Sequence, residues 1–161
     1  MTVLQSWLGV GFDATKLLWR GSTDGFTARA FHKRCDKQGP TLTVIESTEG
    51  WIFGGYNPSN WQSAVPGSYV KKANGSFIFT LKNQQDISPT RFFRAIYAFY
   101  NNANSGPDFG CSDLVVFNTA GKSYSYFPNS YVDTTGKGNA LFTGKKNLDN
   151  FEVKEIEVYS V

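Results

Sequence analysis

At Gly39–Pro40 the hydrophobic period of this chain changes, and no other feature limits its fold as much. Before that point apolar residues recur at helical spacing. After it, "TLTVIES" and "WIFGGY" alternate with period two, separated by a turn ending at Gly50, which is the pattern of a β-hairpin. Phe77–Leu81, Arg91–Tyr100, Leu114–Phe117, Ser123–Phe127 and Phe151–Val161 are further strand candidates. "FIFTL" and "RFFRAIYAFY" are apolar on both faces, as central strands covered on both sides are expected to be. Composition agrees, since 14 Phe, 8 Tyr and 4 Trp make the chain 16% aromatic and flat rings pack well on a pleated surface. The expected fold is mainly β (α+β): a two-sheet antiparallel β-sandwich with one or two flanking helices. No repeat or linker divides the 161 residues, so residues 1–161 are expected to form one domain, with 1–15 as a helical lead-in and 16–161 as the sandwich core.

Local signals add detail. Thr2–Leu8 suits a short helical turn with Val3, Leu4, Trp7 and Leu8 on one side, and "KLLWR" at Lys16–Arg20 suits a buried strand. Thr27 is placed to cap a helix, with Phe26 and Phe31 spaced as a hydrophobic staple. Ala28, Phe31 and Cys35 then share one face and Arg29 and Lys33 turn outward. In the last strand Phe151 and Val153 have one parity and Ile156 and Val158 the other, which predicts a bulge or bend near Lys154–Glu155, the alternative being burial on both faces. Along "WIFGGY", Trp51, Phe53 and Gly55 point one way and Ile52, Gly54 and Tyr56 the other. Glycine inside a strand marks a bulge, a bend or a close approach. Neighbouring rings are expected to pack over Gly54 and Gly55, with Trp61 folding back as a lid. The expected core includes Phe53, Phe77, Phe79, Ile156 and Val158.

Several function classes are excluded by what the chain lacks. The formal charge is +3, with acids and bases interleaved, whereas a nucleic-acid binder concentrates its cations. No stretch approaches the ~20 apolar residues that span a bilayer. The start of the chain has no basic segment followed by an apolar run, so a cytoplasmic, reduced setting is expected. Cys35 and Cys111 form no CxxC and, with one histidine, cannot close a zinc site. "DTTGKGN" at Asp133–Asn139 has too few acidic ligands for calcium. "AGKS" and "TGKK" lack the spacing of a phosphate loop, so no cofactor is expected. His32 reads as a half-exposed helix residue and Cys35 as core, since no motif places a nucleophile beside a base.

The order of motifs nevertheless resembles one family. "LLWRGSTDGFTARAFHKRCDKQGPTLTVIESTEGWIFGGYNPSNW" is similar to the first half of TLDc domains: a strand, an "rDGF"-like turn into a helix, a cysteine, a "kGPTL" strand start and a "yiFGgy" strand with a following tryptophan. "GSFIFTLKN", "GPDFGCSDLVVFN" and "FEVKEIEVYSV" resemble the family's later strands and its Gly-rich turn, so the resemblance runs from about Leu17 to Val161. The Gly-rich run is broken here by Pro107, Asp108 and Cys111, and Tyr159 stands where the family closes on tryptophan.

The resemblance implies a non-catalytic protein-interaction module linked to oxidative-stress protection and to regulation of the vacuolar proton-pumping ATPase, whose peripheral subunits would be the partner. It carries over no catalytic residues, and no enzyme activity is expected. The candidate contacts lie in the segments Asn101–Asp113 and Thr134–Lys146: Asn101, Asn102, Asn104, Asp108, Lys137, Lys145 and Lys146. The alternative is a β-sandwich binding a carbohydrate or other small polar ligand on exposed Trp51, Tyr56 and Trp61.

Overall fold

The structure, a computed structural model, describes residues 1–9, 13–117 and 121–161. Part of the lead-in and Ala120 of "AGKS" therefore lie outside the described residues. Sixteen elements follow the chain: α1 (Val3–Leu8), β1 (Leu17–Arg20), α2 (Gly21–Asp24), α3 (Ala28–Cys35), β2 (Thr41–Ser47), β3 (Ile52–Asn57), β4 (Ser68–Val70), β5 (Phe77–Lys82), β6 (Thr90–Phe93), β7 (Phe99–Asn101), β8 (Asp108–Phe109), β9 (Leu114–Val115), β10 (Ser123–Tyr124), α4 (Ala140–Thr143), β11 (Asn150–Phe151) and β12 (Val153–Ser160). The strands form two antiparallel six-stranded sheets, ordered β1-β12-β2-β3-β5-β6 and β11-β10-β9-β8-β7-β4. The expected sandwich is what the chain forms.

The aromatic core lies between the sheets. Phe53 of the first meets Phe151 of the second edge-on, with centroids 5.0 Å apart, and Phe142 of α4 at 5.3 Å. Phe53, Phe77, Phe79, Ile156 and Val158 are all buried, as their alternation requires. The glycines of β3 work as expected. A Cβ on Gly54 would lie 1.9 Å from the carbonyl oxygen of Thr43 and 2.9 Å from the Phe79 ring, and one on Gly55 would lie 2.5 Å from the Phe109 ring. Phe79 covers one face of the strand and Phe109 the other. Trp61 goes further than a lid: it is fully buried, edge-on to Phe99 at 5.0 Å, with its indole N–H donating to Thr41 Oγ1 at 2.9 Å.

A smaller apolar cluster lies on the outer face of the first sheet, where Leu42, Phe77 and Phe79 are covered by Leu4, Trp7 and Leu8 of α1. Thr2 caps this helix through a reciprocal bond pair with Gln5. The Arg91 guanidinium donates to the Trp7 carbonyl at 2.9 Å.

Two expected strands prove to be pairs. Arg91–Tyr100 divides into β6 and β7, which belong to opposite sheets. At the corner between them Ala95 N–H donates to the Ser130 carbonyl at 2.6 Å, and Arg94 reaches Ala73 and Asn74. Phe151–Val161 likewise divides at Glu152 into β11 and β12, and the register of β12 against β2 shifts between Val153 and Glu155, where the parity conflict placed a bulge. Thr27 Oγ1 accepts from Ala30 N–H as the cap of α3, but the staple does not form as drawn. Phe26 packs on Phe117 at 6.0 Å, while Phe31 turns to Trp19 and Trp61.

Gly54→Ala should cost about 3 kcal/mol, the upper end for overpacking, because the clash is with backbone that cannot rotate away. Phe79→Ala, which leaves a cavity instead, should cost ~3–5 kcal/mol. Urea unfolding of both variants checks the pair.

Candidate interaction surface

The candidate contact residues do not form one surface. Asn101 and Asp108 are each only 5% exposed. They fall within β7 and β8 rather than in a loop, so their side chains are directed by the strand and covered by neighbouring segments. Asn101 Oδ1 accepts the Gln62 N–H at 2.9 Å, which tethers the chain after Trp61 to the second sheet. Asp108 has an oxygen with no hydrogen-bond partner, and burial, reinforced by the nearby Asp113 carboxyl, pushes its own carboxyl well up. Neither residue is available to a partner.

Asn102 and Asn104 are accessible and stand in the 102–107 turn, where Asn102 Oδ1 accepts Asn104 N–H. Lys137 and Lys146 line a shallow depression of about 500 Å³ together with Tyr126 and Asp133, and Lys145 is exposed beside Lys146. Tyr126 N–H donates to the Ser112 carbonyl, which places this depression at the 110–113 end of β8. The 102–107 turn lies at the opposite end of the same strand. One linear segment thus contributes to two separate ends of the sandwich. The "DTTGKGN" stretch is a self-contained turn. Burial acts to raise the Asp133 carboxyl, but hydrogen bonds from Thr135 and the N–H groups of Gly138 and Gly136 hold it below its ordinary value.

The alternative ligand platform is also dispersed. Trp61 presents no open face. Tyr56 leans on Phe77 at 5.3 Å on the outer side of β3, while Trp51 has the opposite parity and donates its indole N–H to Glu49 at 3.0 Å. Side chains of opposite parity on one strand cannot share a platform. The sequence did not show a different aromatic ladder, because β4 is too short to stand out. There Tyr69 stacks between Tyr97 (4.6 Å) and Tyr100 (4.5 Å), and the half-buried Cys111 thiol donates to the Tyr69 hydroxyl at 3.4 Å.

Two polar anchors hold the ends of the sandwich. Asp113 is buried, and its carboxylate accepts from the backbone N–H groups of Cys111, Asn129, Ser130 and Tyr131 at 2.7–3.2 Å. Burial raises this carboxyl against the lowering effect of those four donors. His32 is the other anchor, and it is buried rather than half-exposed. Its Nδ1 lies 2.7 Å from the Asp36 carboxylate and its Nε2 lies 2.8 Å from the carbonyls of both Asn102 and Ser105. Both ring nitrogens are therefore engaged. Cys35 is fully buried nearby, and burial pushes its thiol up.

Charge is distributed unevenly between inside and outside. Asp24, Glu46 and Glu157 are in ion pairs with Arg34, Lys154 and Arg20, and Asp36 is bonded to the His32 ring. Asp13, Glu49, Asp113, Asp133, Asp149 and Glu155 accept hydrogen bonds from this chain's own donors. Arg29, Lys33, Lys37, Lys137, Lys145 and Lys146 are exposed with no carboxylate partner among the described residues. Most carboxylates are engaged by this chain's own donors, whereas these six cations have no carboxylate partner among those residues.

No helix among the described residues is long and apolar enough to cross a membrane. The family model of the TLDc domain matches residues 3–161, which adds α1 to the stretch covered by the motifs. No curated protein matches the chain.

Two variants test the buried polar groups. A raised Asp108 carboxyl means that, as pH climbs from about 4, the unfolded chain loses this proton before the folded one does. The folded state then binds more protons, and stability falls as pH rises through that window. Asp108→Asn should flatten this fall, read as urea midpoints between about pH 4 and pH 8. His32→Ala removes both of the ring's anchors and strands buried carbonyls, at an expected cost of about 2–4 kcal/mol by the same measurement.

Proposed function

The chain belongs to the TLDc domain family, and from that premise we propose that it is a non-catalytic module that acts by docking onto a protein partner. The observation carrying this reading is the charge distribution: internal partners occupy most carboxylates, while exposed Arg29, Lys33, Lys37, Lys137, Lys145 and Lys146 have no carboxylate partner among the described residues. Such a surface attracts acidic partners and speeds their encounter. The state of the reactive side chains points the same way. His32 has both nitrogens engaged in structural bonds, and the Cys35 thiol is sealed in the core. A base or nucleophile needs a free position facing a substrate.

The partner we propose is the peripheral sector of the vacuolar proton pump, in the cytoplasm, with protection against oxidative stress following from regulation of that pump. This finer assignment rests on what TLDc resemblance implies, which is analogy at the level of the family. The test is binding of the purified chain to purified pump from the same source, nucleotide-free and with ADP or ATP bound. Binding is expected to weaken as added salt shortens the screening length below ~10 Å. Failure to bind in every nucleotide state would remove the pump assignment. Turnover by the pure protein, lost in His32→Ala with the fold intact, would remove the non-catalytic reading.

A further inference from the structure

Helix α3 carries more unbalanced charge than its own stability can use. Its sequence contains Arg29, His32, Lys33 and Arg34 and no acidic residue. Arg29 stands at the second helical position, where the free N–H groups of the first turn and the positive end of the helix dipole oppose a cation. Lys33 follows one turn later, and like charges four residues apart weaken a helix. Lys37 adds a third exposed cation just past the end, held in a left-handed conformation with its N–H on the Trp61 carbonyl at 3.1 Å. The acidic groups that pair with this helix are already occupied. Asp24 pairs with Arg34 at 2.8 Å, and Asp36 accepts from both His32 and Ser63.

None of these three side chains is needed to keep the helix in place. Phe31 and Cys35 are buried, Thr27 caps the start, and His32 ties the middle to the 102–107 turn. The backbone is thus held rigidly while Arg29, Lys33 and Lys37 face solvent. Side chains that oppose their own helix, on a backbone held in place by other contacts, mark a surface kept for another molecule.

We propose that Arg29, Lys33 and Lys37 dock an acidic helical segment of a protein partner. This rests on the docking reading above and names the surface for it. Arg29 and Lys33, one helical turn apart, are separated by ~6 Å along the axis, which matches carboxylates four residues apart on a facing helix, and Lys37 adds its charge just past the helix end. Exposed apolar side chains bracket the stripe. Phe26 is 38% exposed just before the cap, and Val65, 79% exposed, lies two residues beyond Ser63, which is bonded to Asp36 at the other end. A bilayer is a poorer match, because the apolar face of α3 is locked in the core and cannot insert. Three cations would give nucleic acid only a few phosphate contacts.

The test uses the whole chain, nitrogen-15 labelled, titrated at low salt with an alanine-rich helical peptide bearing glutamates at i, i+4 and i+8. Controls are a peptide of equal composition with its glutamates adjacent in sequence, and phosphatidylserine-containing vesicles. Amide shifts are expected across residues 28–37. Arg29→Glu with Lys33→Glu should weaken binding at least about tenfold, and Lys137→Glu with Lys146→Glu should leave it unchanged. Because residues 29 and 33 are exposed, an unaltered amide spectrum confirms that the double variant folds. Shifts confined to the Lys137–Lys146 depression, with the α3 variant binding normally, would overturn the α3 surface while leaving the docking reading intact. Equal binding of the control peptide, tighter binding to vesicles, or no shifts at α3 would each overturn the proposal as well.

Discussion

The approach of two phenylalanine rings to the bare backbone of β3 sets the thickness of this molecule. Phe79 lies over Gly54 on the outer face and Phe109 over Gly55 on the inner face, each where a single methyl group would collide. Because Phe109 belongs to the second sheet, its contact with Gly55 brings that sheet close enough for Phe53 to meet Phe151 and for Trp61 to fill the space beside it. On the other side, Phe79 presents the surface on which α1 rests. Interiors packed to crystal-like density transmit such local constraints widely.

A sandwich built this way is secured at its ends by polar groups that the apolar layers cannot replace. Asp113 gathers four backbone N–H groups from two segments, and His32 joins α3 to the 102–107 turn. Buried groups of this kind are costly when half-satisfied and rigidifying when complete. Asp108 is one exception, a buried carboxyl with an unpartnered oxygen close to Asp113. Using carboxylates and histidine for internal anchoring also shapes the exterior, where Arg29, Lys33, Lys37, Lys137, Lys145 and Lys146 have no carboxylate partner among the described residues.

Much of the fold was legible because its signals are local. The change of period at Gly39–Pro40, the Thr27 cap and the parity conflict near Glu155 each depend on a few adjacent residues, and each corresponds to what the chain does. The candidate site was far less legible. Asn101 and Asp108 have the composition of loop residues, yet a strand position and a partner 39 residues away bury the first, and a sheet face encloses the second. Lys137 and Lys146, both candidates from the segment Thr134–Lys146, line one depression. Arg29 and Lys33 were recognised as outward-facing, but nothing adjacent to them revealed that Asp24 and Asp36 were engaged elsewhere.

By itself, then, the sequence determined which stretches extend, which one coils, where a ring must meet a glycine, and which family the pattern resembles. All of these follow from side-chain spacing along a backbone of known geometry. Only the tertiary structure decided where Arg91–Tyr100 leaves one sheet for the other, since that corner is held by Ser130 and Ala73, distant in sequence. It also decided that His32 is an anchor, that Trp61 belongs to the core, and that the cations of α3 lack partners. Those outcomes depend on which groups meet in space, and hydrogen bonds and ion pairs act over a few ångströms regardless of how far apart their residues lie along the chain.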